Sequence, residues 1–497
     1  MARTLTSMVP LQELLESEKL LDQVHGEIET LMISGISQDS RKVKKGDLFL
    51  AWEGSDYDAH DFLDSVARSG AIATIVEKWV PGLEMPQIQV SNGRLAGALT
   101  ADWFFGSAWK NLFVAAVTGT NGKTTTAFIS RHLLQEQAPA AAVGTVGLVQ
   151  SDGSVEGDSD QLTTPGPVAI SRLLKNLLES GNRSVVMEAS SHALAQSRLA
   201  GIKFDSVIFT NLSGDHLDYH TDMDDYFKAK AGLLELLKDD GVAIINADDP
   251  AWKKLDIAHF STFSYGIVEA ADLTGHIVEM DLNKTVLEIK MGKEIEVITL
   301  PLSGRFNVDN CLAAVSLAVV AGMELCKIAD RLSTVPQIPG RLEIVVREPF
   351  LVIIDFAHTS AALENIVDTV RALTNGRLIV VFGAGGDRDR SKRSEMGKVV
   401  SDRADLSIVT SDNPRSEDPD SIIDDIVAGM PETDMWRISD RESAIKRALS
   451  EARAGDCVLL AGKGHERFQI VDQRKYPFDE RAIIMQNLRV SGIGGAV

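Results

Sequence analysis

At 497 residues, 44% hydrophobic and 24% charged, the chain has a globular composition and is too long for one ordinary core; at roughly 150 residues per domain, about three are expected. A balance of 50 basic against 71 acidic residues gives a net charge of −21, which excludes general affinity for nucleic acid or anionic membrane unless basic residues cluster locally, and no such run occurs. Cys311, Cys326 and Cys457 lack metal-ligand spacing and predict buried thiols in a reducing compartment; with no apolar signal core in Met1 to Glu18 and no apolar run near ~18 residues, the reading is cytoplasmic, without membrane insertion.

Residues 1–108 read as a first unit. In it, Gln38 to Leu50 sets turn chemistry before a short strand, and after Gly54 to His60 a helical pattern leads to a strand at Ile72 to Val76. Taken alone, Asp39, Ser40 and Arg41 read as a cap and a surface pair.

The second unit, 109–335, opens with an apolar run, Leu112 to Val117, and then Thr118-Gly119-Thr120-Asn121-Gly122-Lys123-Thr124-Thr125-Thr126. A helical pattern follows, with Ile129 and Leu133 one turn apart. Strand, glycine-bearing loop and helix make a phosphate cradle, because free backbone N–H groups and the positive helix end face one anion. Lys123 would reach the β/γ-phosphates and the Thr124 hydroxyl a magnesium ion. Val117 stands where the common loop has glycine, so this is a shorter version; its bland alternative is a chance GKT in a solvated turn.

Ser184 to Met187 reads as a strand ending on Glu188, and Ser206 to Thr210 as one running into Asn211 to His220. In a doubly wound parallel sheet ligands gather at the carboxyl ends of strands, which would put both clusters beside the phosphate loop. Glu188 suits magnesium, a seeker of hard oxygen ligands. His216 is either a further metal ligand or a hydrogen-bonded core residue, and Asp215, Asp218 and His220 either site groups or caps on the next helix. A strand at Val242 to Ile245 and a Thr/Val alternation over 262–300 follow. Asn307 and Asn310, one turn apart at the start of an Ala-rich helix, either cap it or face the nucleotide base.

Pro336 to Pro339 reads as a linker to a third unit, 336–497. A strand at Val352 to Ile354 ends in Asp355, and the next helix buries Leu363, Ile366, Val367, Val370 and Leu373. Strands at Leu378 to Phe382, Leu406 to Val409 and Cys457 to Leu460 open into Gly383 to Arg390, Asp412 to Arg415 and Gly462 to Glu466. Three polar strand-end loops on one sheet predict a ligand site.

Together these motifs, with Thr163-Thr164-Pro165 and Glu188-Ala-Ser-Ser-His-Ala-Leu194, resemble the Mur ligase family over nearly the whole chain. The resemblance implies an α/β enzyme of three domains: a UDP-binding α/β domain, a central phosphate-loop doubly wound domain and a C-terminal Rossmann-like domain. It implies an ATP-dependent ligase that joins an amino acid to the D-glutamate of UDP-MurNAc-L-Ala-D-Glu, acting on small molecules as a monomer.

Carried over residue by residue, Gly119, Thr120, Asn121, Gly122, Lys123, Thr124 and Thr125, with Asn310, Arg341 and Asp355, would contact ATP. Ser40, with Asp39 and Arg41 beside it, would fall in the uridine diphosphate segment, and Thr163, Thr164, Ser190, Gln196 and Arg198 would line the muramoyl dipeptide. Lys230 matches a lysine that these ligases carry as a carbamate, with Lys228 the nearby impostor; a lysine of lowered pKa takes up carbon dioxide and becomes an anion able to bind magnesium. The expected catalytic set is Lys123, Glu188, His216 and the Lys230 carbamate, and the metal set Thr124, Glu188, His216 and Lys230. Arg388, Asp412, Asn413, Pro414, Arg415, Gly462 and Glu466 match the amino-acid pocket. The chain departs from the family at Asp58-Ala59-His60, where glycine usually stands in the middle.

Meso-diaminopimelate has a side-chain carboxylate where lysine has only an ammonium, and Arg415 in its proline-stiffened turn can pair with that carboxylate. Diaminopimelate is therefore the expected substrate, with L-lysine the alternative and an Arg415 pair with Glu417 or Asp418 the bland reading. A sister ligase such as folylpolyglutamate synthetase is the runner-up. A GTPase-like switch would want Asn-Lys-x-Asp, and Asn283-Lys284 is followed by Thr285-Val286. A ligase-derived scaffold that has lost activity would not be expected to keep Lys123, Glu188, His216 and Lys230.

Overall fold

The computed structural model describes residues 8–17, 21–54, 57–157, 162–431, 435–472 and 474–490. Ser55 and Asp56 of the first unit's turn lie outside them, as do Met1 to Ser7 and Glu18 of the opening stretch read above.

Among the described residues three larger sheets follow one another along the chain. The first has five strands in the order Leu21–His25, Gln87–Val90, Ala73–Val76, Asp47–Leu50, Gly35–Ser37, parallel except for Leu21–His25. The second has eleven. Its parallel middle runs Ala140–Gly144, Ser184–Glu188, Phe113–Thr118, Phe204–Phe209, Leu237–Asn246, Ser261–Gly266, Leu273–Met280. The third has six, in the order Glu343–Val346, Leu351–Asp355, Cys457–Ala461, Leu378–Phe382, Leu406–Val409, Met435–Arg437, parallel except for the first pair.

Parallel strands are covered on both faces and so are apolar throughout. In Phe113–Thr118, Ala115 and Val117 pack beneath the helices Lys123–Leu134 and Arg305–Val320, while Val114 and Ala116 face the helix Pro167–Glu179. Leu378–Phe382 splits in the same way, its even and odd residues entering separate cores. This doubly wound packing brings the carboxyl ends of the strands, and the polar loops after them, to one edge of each sheet.

The alternation over 262–300 is not a parallel extension alone. Thr285–Met291 and Glu294–Leu300 turn back as antiparallel strands at the sheet edge, where one face reaches water and period-two patterning survives. Of the three thiols, Cys311 and Cys457 are buried, but Cys326 is exposed near the start of the helix Leu325–Leu332. Leu373, the last residue of the helix Ser360–Leu373, is only half buried.

Candidate functional site

Gly119 and Gly122 have φ of +150° and +86°. A Cβ on Gly122 would collide with the Asn310 amide, so only glycine lets the loop lie against the helix Arg305–Val320. The loop is tied down from outside. Thr120 Oγ1 donates to Ser213 O (3.0 Å) and lies 3.2 Å from Tyr226 Oη, Asn121 N donates to Asn211 Oδ1 (2.9 Å), and Thr210 Oγ1 donates to Asn121 O (2.7 Å).

Two lysines converge on one carbonyl. Lys123 Nζ donates to Gly119 O and Thr120 O, each at 2.9 Å, and Lys230 Nζ donates to the same Gly119 O at 2.7 Å. Lys230 is 1% exposed, above the face of the Tyr226 ring, whereas Lys228 is exposed. Burial, and after it the charge of Lys123, pushes Lys230 well below the usual lysine range. Lys123 is lowered by burial too, against the pull of Glu188 and Asp215.

Glu188, at the end of its strand, accepts from Thr145 N (2.8 Å) and Thr145 Oγ1 (2.9 Å). Its backbone oxygen accepts from Thr164 Oγ1 (2.8 Å), which itself accepts from Ser190 N (3.0 Å). Arg198 reaches Thr164 O (2.9 Å) and Gln196 Oε1 (2.7 Å), and Thr163 Oγ1 lies 3.2 Å from Thr145 Oγ1. The residues expected around the dipeptide thus form one connected patch beside Glu188. Ser40 is half buried in a 3-10 turn capped by Asp39, which pairs with the exposed Arg41 at 2.9 Å, so the cap-and-pair reading describes their own contacts. The turn is near the patch, because a Cβ on Gly166 would meet Gln38 Nε2 at 2.7 Å. At Ala59 a 3-10 turn begins at ordinary negative φ, so the missing glycine is accommodated.

His216 sits at φ +56° with its ring edge-on to His192, and burial drives it down to about 3 despite Asp215 beside it. It is therefore a neutral imidazole with a lone pair to offer. The following helix, Met223–Ala231, is capped by Asp222 rather than by Asp215, Asp218 or His220. His220 Nδ1 meets Asp225 instead (3.3 Å), and Asp218 faces Arg388 of the third unit at 3.7 Å. Asn307 and Asn310 do not cap their helix, whose cap is Gly304: Asn307 Nδ2 donates to Ser303 O (2.7 Å), while Asn310 packs on Gly122.

Thr124 and Thr125 are buried in the first turn after the loop. Arg341 Nη2 donates to Thr124 Oγ1 (3.1 Å), and its guanidinium lies over the Phe356 ring. Asp355 accepts from Leu342 N (2.7 Å) and Ala357 N (2.8 Å), and burial raises it although Arg341 pulls it down.

In the third unit, Asp412 and Asn413 are buried and flank Lys463, whose Nζ donates to Asn413 Oδ1 and Glu466 Oε2, each at 3.0 Å. Gly462 is at φ +117°, with Asp412 filling the place of a Cβ. Pro414 leads into Arg415, a non-glycine residue at φ +53° whose Nη1 donates to Gly386 O (2.6 Å). Arg415 is half buried and forms no ion pair among the described residues, because Glu417 is taken by Arg390 and Arg393. The surface pair with Glu417 or Asp418 is thereby overturned for this structure. Sequence reasoning gave Thr145 and Tyr226 no role in the site and Lys463 only a place in the Gly462 to Glu466 loop. Thr145 carries no motif, and Tyr226 and Lys463 look like ordinary helix and loop residues until their neighbours are known.

Could these residues hold magnesium? No three His, Cys, Asp or Glu side chains among the described residues cluster as a ready metal site. That fits an ion that takes most of its shell from water and substrate phosphates and needs only one or two hard protein oxygens. Thr124 Oγ1 and the Glu188 carboxylate supply that chemistry.

A glycine-bearing loop between strand and helix, with two desolvated lysines and a carboxylate at the next strand end, defines a phosphate-loop nucleotide-binding protein of α/β fold. Residues 117–318 match the Mur ligase middle domain and residues 340–464 the Mur ligase glutamate ligase domain. The UDP-N-acetylmuramoyl-L-alanyl-D-glutamate--2,6-diaminopimelate ligase of Gloeobacter violaceus is 41% identical over 461 residues, covering 90% of this chain and 92% of that one. Its counterpart in Aquifex aeolicus is 42% identical over 467 residues, covering 93% and 95%. A solved structure of a ligase of that same name is similar with a TM-score of 0.68 at 31% identity, covering 98% of this chain and 99% of that one. The chain belongs to the Mur ligase family.

Proposed function

We propose that the chain joins meso-diaminopimelate to the D-glutamate carboxylate of UDP-MurNAc-L-Ala-D-Glu with hydrolysis of ATP, a step of peptidoglycan precursor synthesis in the cytoplasm. The units 1–108, 109–335 and 336–497 would bind the uridine nucleotide, ATP and the amino acid. One observation carries the choice of amino acid: Arg415 is a half-buried cation with Nη1 fixed on Gly386 O and no carboxylate partner among the described residues. Such a guanidinium favours a ligand that brings its own carboxylate. The named relatives support the same choice.

Carboxylate and triphosphate repel, so both must be neutralised before phosphoryl transfer. Lys123 would leave its loop carbonyls for the β/γ-phosphates, with the loop N–H groups cradling them. Arg341 and the helix N-terminus add positive charge, and Asn310 and Asp355 complete the nucleotide's surroundings. Magnesium, when bound, would supply further charge neutralisation, held by Thr124 and Glu188 on one side and by His216 and a carbamate of Lys230 on the other. The Lys230 amine, lowered by burial, is suited to attack carbon dioxide, forming the N–C bond and releasing a proton. The dipeptide patch from Thr163 to Arg198 would present the D-glutamate carboxylate, whose oxygen attacks the γ-phosphorus and expels ADP. The amine of diaminopimelate, oriented by Arg388, Asp412, Asn413 and Glu466, then attacks the acyl carbon, and phosphate leaves.

Phosphate release from ATP with UDP-MurNAc-L-Ala-D-Glu tests the reading. Release with meso-diaminopimelate and not L-lysine is expected; release with lysine alone would discard the Arg415 argument, and silence with both would reopen the sister-ligase reading. Lys230→Ala is expected to lose at least about a hundredfold in rate. Full activity of that variant without bicarbonate would sink the carbamate.

A further inference from the structure

Arg415 and Asp387 both stand at φ +53°, a left-handed conformation that non-glycine residues keep only where neighbours hold it. The Arg415 backbone is paired with Ile470 O (3.0 Å) and Asp472 N (2.8 Å), and the two loops that carry Asp387 and Arg415 are joined to each other through one buried side chain. Arg393, on the helix Ser391–Ser401, has a side chain 1% exposed and grips Glu417 with two parallel bonds, Nη2 to Oε1 at 2.9 Å and Nη1 to Oε2 at 3.0 Å. The same guanidinium reaches Gly385 O (3.2 Å) in one loop and Asp425 Oδ2 (2.9 Å) on the next helix. Glu417 Oε1 accepts from Asp387 N (2.6 Å), and Asp387 Oδ1 accepts from Ser416 Oγ (2.6 Å). Gly386 N then donates to Asn413 O (2.9 Å), and Gly386 O receives Arg415. No Cβ fits at Gly386 because Pro414 O occupies the space.

We infer that the Arg393–Glu417 pair is a positioning device that locks the loop after Phe382 to the loop after Val409 and so fixes the Arg415 guanidinium for a side-chain carboxylate. The inference rests on the proposed diaminopimelate reading. Neither residue touches the pocket: Glu417 fixes loop backbone, and that backbone aims Arg415. A bidentate pair suits the task because it fixes angle as well as distance. Without it, Arg415 keeps its charge but loses its aim, and the preference for diaminopimelate over lysine should weaken.

The test measures kcat and KM for meso-diaminopimelate, ATP and UDP-MurNAc-L-Ala-D-Glu in the full-length enzyme and in Glu417→Gln. The expected result is a KM for diaminopimelate at least about tenfold higher, with kcat and the other two KM values within about twofold and relatively more turnover with lysine. Ser416→Ala, a milder cut of the same network, should raise the diaminopimelate KM about threefold and serves if Glu417→Gln does not fold. An unchanged diaminopimelate KM in a folded variant, or an equal rise in all three KM values, overturns the inference. A wild-type enzyme that ignores diaminopimelate overturns the functional reading instead, so the two failures are distinguishable.

Discussion

Arg415 is the residue on which substrate choice turns in the proposed reaction. Replacing it by alanine removes a charged, hydrogen-bonded partner, a loss of about 1.5–3 kcal/mol, which corresponds to roughly a ten- to hundredfold rise in the diaminopimelate KM. Steady-state kinetics with ATP saturating would show it, while the KM for ATP should stay put. At the phosphate loop the sensitive residue is Gly122. Gly122→Ala adds a methyl group at φ +86° and against the Asn310 amide. We expect ATP binding, measured by calorimetry, to weaken at least about tenfold while the thermal midpoint moves by only a few degrees, since a strained turn costs about 1–3 kcal/mol.

At the scale of elements, much of the fold is legible in the sequence because apolar parallel strands and 3.6-residue helices leave strong local patterns. The strands Leu378–Phe382 and Leu406–Val409 end where their apolar runs end, and the phosphate loop sits between strand and helix as its glycines require. Partners distant in sequence are what the patterns do not carry. Nothing local to Asn310 reveals that its amide will lie against Gly122, and nothing local to Lys463 reveals that Asp412 and Asn413 will flank it. The helix Lys123–Leu134 also carries a pH-sensitive contact. His132 Nε2 lies 3.1 Å from Arg331 O, and burial, then the Arg331 charge, drives the imidazole down to about 4. A histidine of folded pKa below its ordinary value near 6.5 binds more protons unfolded, so its contribution is complete above about pH 6.5 and is lost as pH falls toward 4. That loss is at most about 3 kcal/mol and is reduced by solvent screening of the partly buried ring. Thermal melts from about pH 7.5 to 5 should show a shallower decline for His132→Gln than for the wild type.

At the scale of the molecule, some of the contacts that join the three units fall on the candidate site. Arg341 of the third unit holds Thr124 of the second, Arg388 faces Asp218, and Gln38 of the first lies against Gly166. The net charge of −21 makes these local cations matter more, since the exterior as a whole repels the anionic substrates proposed here. Arg341→Ala should therefore raise the KM for ATP several-fold while moving the thermal midpoint little. Because the guanidinium is largely desolvated between Thr124 and the Phe356 ring, ATP titrations at low and high ionic strength should show a similar rise. The linker at Pro336 to Pro339 and the phosphate-loop motif are local signals and can be read along the chain, but the pairing of surfaces between the units is not, because no local pattern encodes it.

His465, in the loop that carries Glu466, places Nε2 3.0 Å from Thr145 O, and Thr145 is the residue that holds both oxygens of Glu188. Together with Arg341 on Thr124, this makes the third unit part of the scaffold around Thr124 and Glu188. A molecule whose third unit had turned away would keep the phosphate loop but lose Arg341 and the braces on Thr124 and Thr145. In the proposed reaction such a molecule would be idle, not leaky, spending no ATP on a carboxylate that has no amine waiting.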